Sequence, residues 1–363
     1  MLKYVIIIFI LGTSPCFFGQ IEVTASDFPG KGDTVRYTNT TDFSIDYQST
    51  GTNYNWDFSA LIGNSQTLLN HNSIDNADML TQGLFGEFVI PKYRATYYLP
   101  ATAIPFGLIT DFIDIPIEDF YRFFRKTASQ MTVIGLSLSA GGFGLGSRSD
   151  TIEVAYEYPM VFGQNYTSRG YTYLDMSFAL PAQFKQYRQR NSEVDGFGTI
   201  ETPYGTFDAL RIHHVIDELD SIYFEFDGSG QWIELPIPRS HEYEWWTNEE
   251  NGPILKVITN EIGGGEQVTS IQYRDIYRAD LVASIEDELP IEFNIFPNPA
   301  TDFIQIQSNA DLAEMYVVTM SGSLVFQSAF SNELHVANLQ GGAYNLILRS
   351  KDGRIAVKRF VKE

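Results

Sequence analysis

The sequence predicts an all-β protein: a large antiparallel sheet, curved or closed into a half-barrel, followed by a small immunoglobulin-like β-sandwich. Many segments alternate apolar and polar residues with the two-residue period of a strand. Turn signals rich in Gly, Pro, Asn and Asp separate these segments, and few stretches have the period of a helix. With 363 residues, 44% of them hydrophobic, the chain is long enough for two domains with ample cores.

The amino terminus has the pattern of a secretory signal peptide, which we place at residues 1–19. Lys3 precedes the apolar run Val5–Leu11, and small and turn-forming residues follow it. This run is too short to cross a bilayer, which takes about twenty apolar residues, and no later run is long enough. We therefore predict no transmembrane segment, entry through the general secretory machinery and passage through the periplasm.

Cys16 is the single cysteine of the chain. Pro15 occupies the position before it, where a lipoprotein signal requires a small residue, so lipidation is disfavoured. One cysteine provides neither a disulfide framework nor a thiolate metal site. Burial of apolar surface must therefore stabilise the fold.

Residues 20–280 form the passenger, in which strand patterns dominate. Clear alternation marks three segments: Asp33–Thr38, Thr151–Tyr158 and Ser221–Phe226. Thr199–Phe207 predicts a hairpin that turns at Pro203-Tyr204-Gly205, and His241–Trp246 is predicted to pair with Ile254–Ile258.

Pro116–Lys126 fits two structures. Proline and acids at its start and bases at its end are typical of a helix. Its aromatic residues also alternate, and aromatic residues favour strands. We favour a strand, or a short helix leading into one, followed by a strand at Met131–Leu138.

One hairpin of the passenger, Gly198–Arg211, is similar to a hairpin found in half-barrel domains related to the lipoprotein-carrier fold. That resemblance implies a curved sheet able to wrap an apolar ligand. The resemblance covers one hairpin and implies no catalytic residue.

The chain is strongly acidic, with a formal net charge of −21. A field of that sign repels nucleic acid and anionic lipid, so we predict no nucleic-acid partner. The charge keeps an exported protein soluble, and it could also attract cations.

The candidate chemical groups of the passenger do not form a recognisable catalytic motif. His213 and His214 are neighbours on a strand and must point to opposite faces, so they cannot share a metal ion. Trp245-Trp246 with Tyr243 could form a sugar-stacking platform, but burial in a core is the stronger expectation. We predict no catalytic, cofactor-binding or metal-binding residue.

Acidic clusters leave a structural calcium ion as an alternative to solvated turns, although none has the spacing of a calcium-binding loop. They comprise Asp111, Asp114, Glu118 and Asp119; Asp217, Glu218 and Asp220; and Glu225 with Asp227.

An acidic, weakly patterned linker at residues 281–291 precedes a carboxyl-terminal β unit at residues 292–363. About seven short strands suit a sandwich of this length. Spaced motifs run through the unit: a P-N-P-x-x-D start, an S-G turn, an L-x-x-G-x-Y element and a basic end. Their key residues are Pro297, Asn298, Pro299, Asp302, Gly322, Gly342, Tyr344, Lys358 and Phe360.

These motifs, in this order, closely resemble the type A C-terminal sorting domain of the type IX secretion system of Bacteroidota. The resemblance implies recognition by the type IX translocon and removal by its surface peptidase. It also implies release of the passenger or its attachment to surface lipopolysaccharide. The expected location is therefore the medium or the outer-membrane surface.

An export signal leaves the activity of the passenger open. The leading hypothesis is a non-enzymatic binding or surface module. The alternative is a secreted hydrolase that acts on polysaccharide through paired carboxylates, which would lie roughly 5–10 Å apart in an open cleft. A third hypothesis is a structural or adhesive role.

Overall fold

The computed structural model describes residues 21–101, 117–140, 143–177, 182–226, 229–235, 237–282, 293–308, 310, 312–319, 324–350 and 355–363. The chain divides into two compact units, Met1–Ser284 and Ile285–Glu363. The predicted signal peptide, most of the predicted linker, Gly322 and the acidic residues Asp111, Asp114 and Asp227 lie outside the described ranges.

One sheet of fourteen strands forms the described part of the first unit. Its strands are β1 (Thr34–Thr40), β2 (Thr52–Asp57), β3 (Ser65–Asn70), β4 (Tyr97–Pro100), β5 (Ile117–Lys126), β6 (Gln130–Ala140), β7 (Phe143–Glu157), β8 (Asn165–Asp175), β9 (Ala182–Thr202), β10 (Gly205–Phe226), β11 (Ser229–Leu235), β12 (Ser240–Trp246), β13 (Leu255–Ile262) and β14 (Gly265–Arg274). Short helices are α1 (Met79–Phe85) and α2 (Ala279–Val282), with 3₁₀ turns at Ala25–Asp27, Ile74–Asn76 and Pro91–Tyr93.

The sheet is antiparallel and nearly closed. Its strand order is β3-β1-β14-β13-β12-β10-β9-β8-β7-β6-β5-β4, with β11 beside β10 and β2 parallel to β9. Its two edges meet just beyond β3, where the amide of Asn72 donates to the carbonyl of Tyr98 at 3.1 Å and the amide of Tyr98 donates back at 3.0 Å. The prediction of a large, curved antiparallel sheet is therefore confirmed.

The predicted strands and pairings are present. The β9–β10 hairpin turns at Pro203-Tyr204, and β12 pairs with β13. The ambiguous segment forms strand β5, so the strand interpretation is correct. The strand is favoured over a helix because it pairs with β6. In this pairing Phe123 and Ile134 are buried in one hydrophobic cluster with Phe85 of α1.

The inward face of the sheet has three layers, which are visible along β9. Phe184 belongs to an apolar cluster at one end, and Val194 belongs to a second cluster at the other. Between them, Gln186, Arg188 and Arg190 also point inward. A charged layer thus separates two hydrophobic cores.

Two segments cover parts of the outward face. The chain around Tyr47 and Trp56 packs over Tyr243 and Trp245 of β12, and α1 stacks Phe85 on Phe123 with ring centroids 4.0 Å apart. The middle of β8, β9 and β10 keeps its outward side chains accessible. The candidate site lies in this accessible region.

The second unit contains seven described strands in two sheets. They are β15 (Phe293–Phe296), β16 (Phe303–Ser308), β17 (Leu312–Thr319), β18 (Leu324–Ala329), β19 (Glu333–His335), β20 (Gly342–Ser350) and β21 (Ile355–Lys362). The sheet β15-β16-β19 and the sheet β18-β17-β20-β21 bury one shared core, which includes Ile304, Val317 and Phe360.

Candidate binding groove on the outward face

A groove of about 480 Å³ crosses the outward face of β8, β9 and β10. Its floor is the backbone of three residues that pair across the strands, Gly170, Arg188 and Glu218. The side chains of Arg188 and Glu218 point to the inward face. The neighbouring rows face outward and form its two walls. The volume lies within the usual range for small-molecule sites.

One wall is aromatic and apolar. Tyr171 pairs with Tyr187, and Tyr187 pairs with Leu219 across the sheet. The two tyrosine rings stack with centroids 4.3 Å apart and an interplanar angle of 28°. Tyr187 is 48% exposed and Leu219 is 44% exposed, so this wall offers flat apolar surface to a ligand.

The opposite wall is polar, and its side chains are hydrogen-bonded in pairs. Arg169 Nε donates to Gln189 Oε1 at 3.1 Å, and Arg239 Nε donates to Asp217 Oδ1 at 2.7 Å. Arg239 also lies 3.6 Å from Glu261. The wall therefore combines donors and acceptors without a strong local excess of one charge.

A second exposed aromatic group lies further along the same face. Trp232 of β11 pairs with Tyr223 of β10, and their ring centroids are 5.6 Å apart. The ammonium of Lys185 lies 3.7 Å from the centroid of the Trp232 ring. This cation–π contact holds the indole in place while leaving it 38% exposed.

The charged layer lies on the inward face, directly behind the groove. Arg188 Nε contacts Glu153 at 3.0 Å, and its guanidinium also binds Glu218. Arg190 bridges Glu153 at 2.8 Å and Glu242 at 3.4 Å. Gly170 leaves room for this arrangement, since a Cβ there would lie 3.0 Å from that of Glu153.

The layer continues toward β13 through Lys256, whose ammonium lies 2.9 Å from Glu244 and 3.4 Å from Glu242. Glu244 also accepts from Tyr156 at 2.7 Å and from Trp246 Nε1 at 2.8 Å. Every carboxylate in these contacts therefore has a cationic partner. Such pairing compensates the buried charges of these carboxylates.

The pKa values follow from these contacts. Burial raises the pKa of Glu153, but Arg188 and Arg190 outweigh it and bring that pKa down to about 2. Burial raises the pKa of Asp220 to about 8, and the nearby charge of Glu218 adds to the effect. Asp220 is therefore protonated at neutral pH.

The two histidines of the sequence motif lie on opposite faces, as predicted. His213 stacks on Tyr243 with ring centroids 4.2 Å apart, and its Nε2 lies 3.0 Å from His241 Nδ1. Burial lowers the pKa of His213 to about 4, with a contribution from His241. On the inward face, Ser192 Oγ lies 2.7 Å from His214 Nδ1, and burial lowers the pKa of His214.

The Trp245-Trp246 pair belongs to the core, which agrees with the stronger expectation. Trp245 and Trp246 are buried in different clusters on opposite faces of the sheet. Among the described residues, no group of three or more His, Cys, Asp or Glu side chains is arranged to hold a metal ion. Asp217, Glu218 and Asp220 instead divide between the two faces of β10.

The aromatic groups on the outward face were missed in the sequence. Tyr171 and Tyr187 point outward while their neighbours Gly170, Gln186 and Arg188 point inward, so the usual alternation is locally inverted on β8 and β9. In the sequence, the one signal of this inversion is Gln186-Tyr187-Arg188, where an aromatic residue lies between two polar ones. Its meaning depends on which face is buried, and the local sequence does not specify this.

The tail brings most of its predicted motif residues together. Asn298 Nδ2 donates to the carbonyl of Arg359 at 3.1 Å, and its Oδ1 accepts from the amide of Val361 at 2.9 Å. Lys358 Nζ donates to the carbonyl of Phe293 at 2.9 Å. The start of the unit is thus fastened to its last strand.

The remaining motif residues lie around the same core or at its turns. Phe360 is fully buried, and its ring stacks with that of Tyr344 at a centroid separation of 5.6 Å. Tyr344 donates to the carbonyl of Gln340 at 2.9 Å. Gly342 has φ +156°, and the Asp302 carbonyl accepts from the amides of Val336 and Ala337. Pro297 and Pro299 follow the end of β15.

Residues 294–363 match the family described as the secretion system C-terminal sorting domain. The chain is a type IX secretion cargo protein. This family implies a bacterium of the Bacteroidota, and it places the protein in the medium or at the cell surface. Comparison of the chain with curated proteins and with solved structures finds no match.

The sorting domain also implies interaction with the type IX machinery. None of the helices in the described ranges is both long enough and apolar enough to cross a membrane.

Proposed function

We propose that this cargo protein is an exported binding module whose ligand site is the groove across β8, β9 and β10. In this proposal residues 1–19 are the signal peptide, 20–280 the passenger, 281–291 the linker and 292–363 the sorting domain. The observation that supports it most directly is the stack of half-buried Tyr171 on exposed Tyr187, which faces a polar wall. Exposed aromatic clusters in concave sites are typical of binding surfaces.

The sorting role rests on the tail geometry. We propose that Pro297, Asn298, Pro299, Asp302, Gly342, Tyr344, Lys358 and Phe360, with Gly322, form the signal that the translocon reads. Contacts of Asn298 and Lys358 join the first and last strands of the unit, which supports recognition of a folded domain. Cleavage by the surface peptidase would follow, with release or attachment to lipopolysaccharide.

The hydrolase alternative receives little support from the carboxylates. In the groove, Asp217 is bound by Arg239, and Glu218 points inward to Arg188. A general acid needs a proton to donate near neutral pH, and a general base needs an unpaired carboxylate. Asp220 holds a proton, but it is buried behind the groove and cannot touch a ligand there.

Binding by the full-length protein tests this proposal. The probes are arrays of neutral and acidic glycans and of random peptides, applied to the wild type, Tyr187→Ala and Tyr277→Ala. Tyr277 is an exposed tyrosine that follows β14, so it is a matched control. We expect at least one probe class to bind, and to bind roughly tenfold more weakly to Tyr187→Ala alone.

Failure of every probe to bind would contradict the proposal, as would binding that Tyr187→Ala leaves unchanged. Release of soluble product from a bound polysaccharide, at a rate above that of a blank, would favour the hydrolase instead.

A further inference from the structure

Building on the proposed binding function, we infer that the ligand is a neutral oligosaccharide that extends from the Tyr171–Tyr187 groove to Trp232. The inference concerns the chemistry of the ligand and a second contact site. It rests on the two walls of the groove, on the charge of the chain and on the register between the two aromatic groups.

The two walls fit an amphipathic ring. A sugar ring presents C–H groups on its faces and hydroxyl groups around its edge. The stacked tyrosines offer a flat surface for such a face, and Tyr187 is well exposed. Across the groove, Arg169, Gln189, Asp217 and Arg239 offer both donors and acceptors to hydroxyl groups.

The charges of the site disfavour polyanions. Arg239 is neutralised by Asp217 and Glu261, whereas Arg169, whose partner Gln189 is neutral, keeps its single positive charge. The chain as a whole carries a net charge of −21, which repels an anionic ligand. An acidic polysaccharide or nucleic acid would therefore gain little from this groove.

An extended peptide also fits poorly. Peptides commonly bind by adding a strand to a sheet edge, where backbone groups are free. The groove crosses the face of three paired strands, whose backbone groups are used in the ladders. Only one wall offers polar partners, so many amides of a bound peptide would stay unpaired.

The position of Trp232 indicates a ligand longer than one ring. Tyr187 pairs with Leu219, and Tyr223 follows four residues later on β10, opposite Trp232. Strand rise and spacing place Trp232 roughly 16 Å from Tyr187 on the same face. Lys185 lies on the outward face beside Trp232, and its ammonium can donate to a hydroxyl group.

Fluorescence gives a direct test, because Trp232 is well placed as a reporter. The other three tryptophans, Trp56, Trp245 and Trp246, are at most 3% exposed. Acrylamide, a neutral quencher, should therefore quench mainly Trp232. The full-length protein is titrated with neutral gluco-, manno- and xylo-oligosaccharides of increasing length, and titration calorimetry gives the affinity of every variant, including those that lack Trp232.

We expect the longer oligosaccharides to protect Trp232 from acrylamide and to bind more tightly than the disaccharides. Tyr187→Ala should weaken binding roughly tenfold for all lengths, and Trp232→Ala should weaken binding of the longer ones only. Ile262→Ala, which removes an exposed side chain at the end of β13, serves as the control and should have no effect.

Two results would overturn the inference and leave the binding function intact. One is peptide binding that depends on Tyr187 when no neutral oligosaccharide binds. The other is oligosaccharide binding that depends on Tyr187 but neither protects Trp232 nor changes in Trp232→Ala. Absence of any Tyr187-dependent ligand would contradict both the inference and the proposed function.

Discussion

Asp220 shows how its surroundings change the chemistry of a single side chain. Its Oδ2 accepts from Gln186 Nε2 at a long 3.4 Å, and its Oδ1 has no hydrogen-bond partner among the described residues. Burial and the charge of Glu218 raise the pKa of Asp220 to about 8. The folded protein therefore holds this proton more tightly than the unfolded chain, whose carboxyl has an ordinary pKa.

That difference predicts a pH-dependent effect of Asp220→Asn. The contribution of Asp220 to stability is fully present below the unfolded pKa and is lost as the pH rises to about 8. Asp220→Asn should change stability little near pH 4 and stabilise the protein by roughly 5 kcal/mol near pH 9, since each pKa unit corresponds to about 1.4 kcal/mol. Urea unfolding across this pH range measures the difference, and an equal effect at both pH values would contradict the prediction.

Glu153 has the opposite role, because its charge is needed. It binds Arg188 and Arg190 in the buried layer. Glu153→Gln would remove a negative charge that balances these two buried guanidinium groups. We therefore expect a loss of about 3–5 kcal/mol in the free energy of unfolding. Glu193→Gln, on the exposed face of β9, should change it little. Similar stabilities of the two variants would show that the layer does not depend on this pairing.

The lowered pKa of Glu153 also makes the stability of the fold depend on pH in the acid range. Its stabilising contribution is present above the unfolded pKa and is lost as the pH falls toward the folded pKa of about 2.

At the scale of single elements, the sequence predicts strands better than it predicts their faces. The β9–β10 hairpin and the β12–β13 pair follow from alternation and turn residues close in the chain. The inward charges of β9 could not be predicted, because Arg188 and Arg190 are compensated by Glu153 of β7 and Glu242 of β12. Those contacts depend on the register of strands far apart in sequence.

The groove escaped prediction for the same reason. Tyr171 and Tyr187 lie on successive strands, and nothing in the local pattern indicates which face of the two strands is covered. By contrast, the tail motifs are compact, and the contacts of Asn298 and Lys358 join two short segments at its ends.

Strand β21 should be essential to the sorting domain. Phe360 is fully buried in the shared core, whereas the adjacent Val361 is 39% exposed. Phe360→Ala should therefore cost about 3–5 kcal/mol in the stability of the tail. We expect it to reduce the secreted fraction, as measured by immunoblotting of medium and periplasm, with Val361→Ala as the control. Equal loss of secretion in both variants would assign the role to the strand surface instead of the core.

At the scale of the whole molecule, the chain divides into two compact units, and the sorting-domain family matches residues of the second. The sheet of the first unit closes on its own edges at Asn72 and Tyr98, and its apolar clusters are formed by residues of that unit. The core of the second unit is likewise formed by its own residues. Each unit therefore has the interior that independent folding requires.

Deletion of Phe293–Glu363 tests the central claim most directly. The truncated chain is expressed in the native host, located by fractionation, and compared with the full-length protein by circular dichroism and thermal unfolding of the passenger. We expect it to stay in the periplasm, with the strand content and unfolding temperature of the passenger unchanged. Secretion at the level of the full-length protein, or loss of the passenger fold, would contradict the claim.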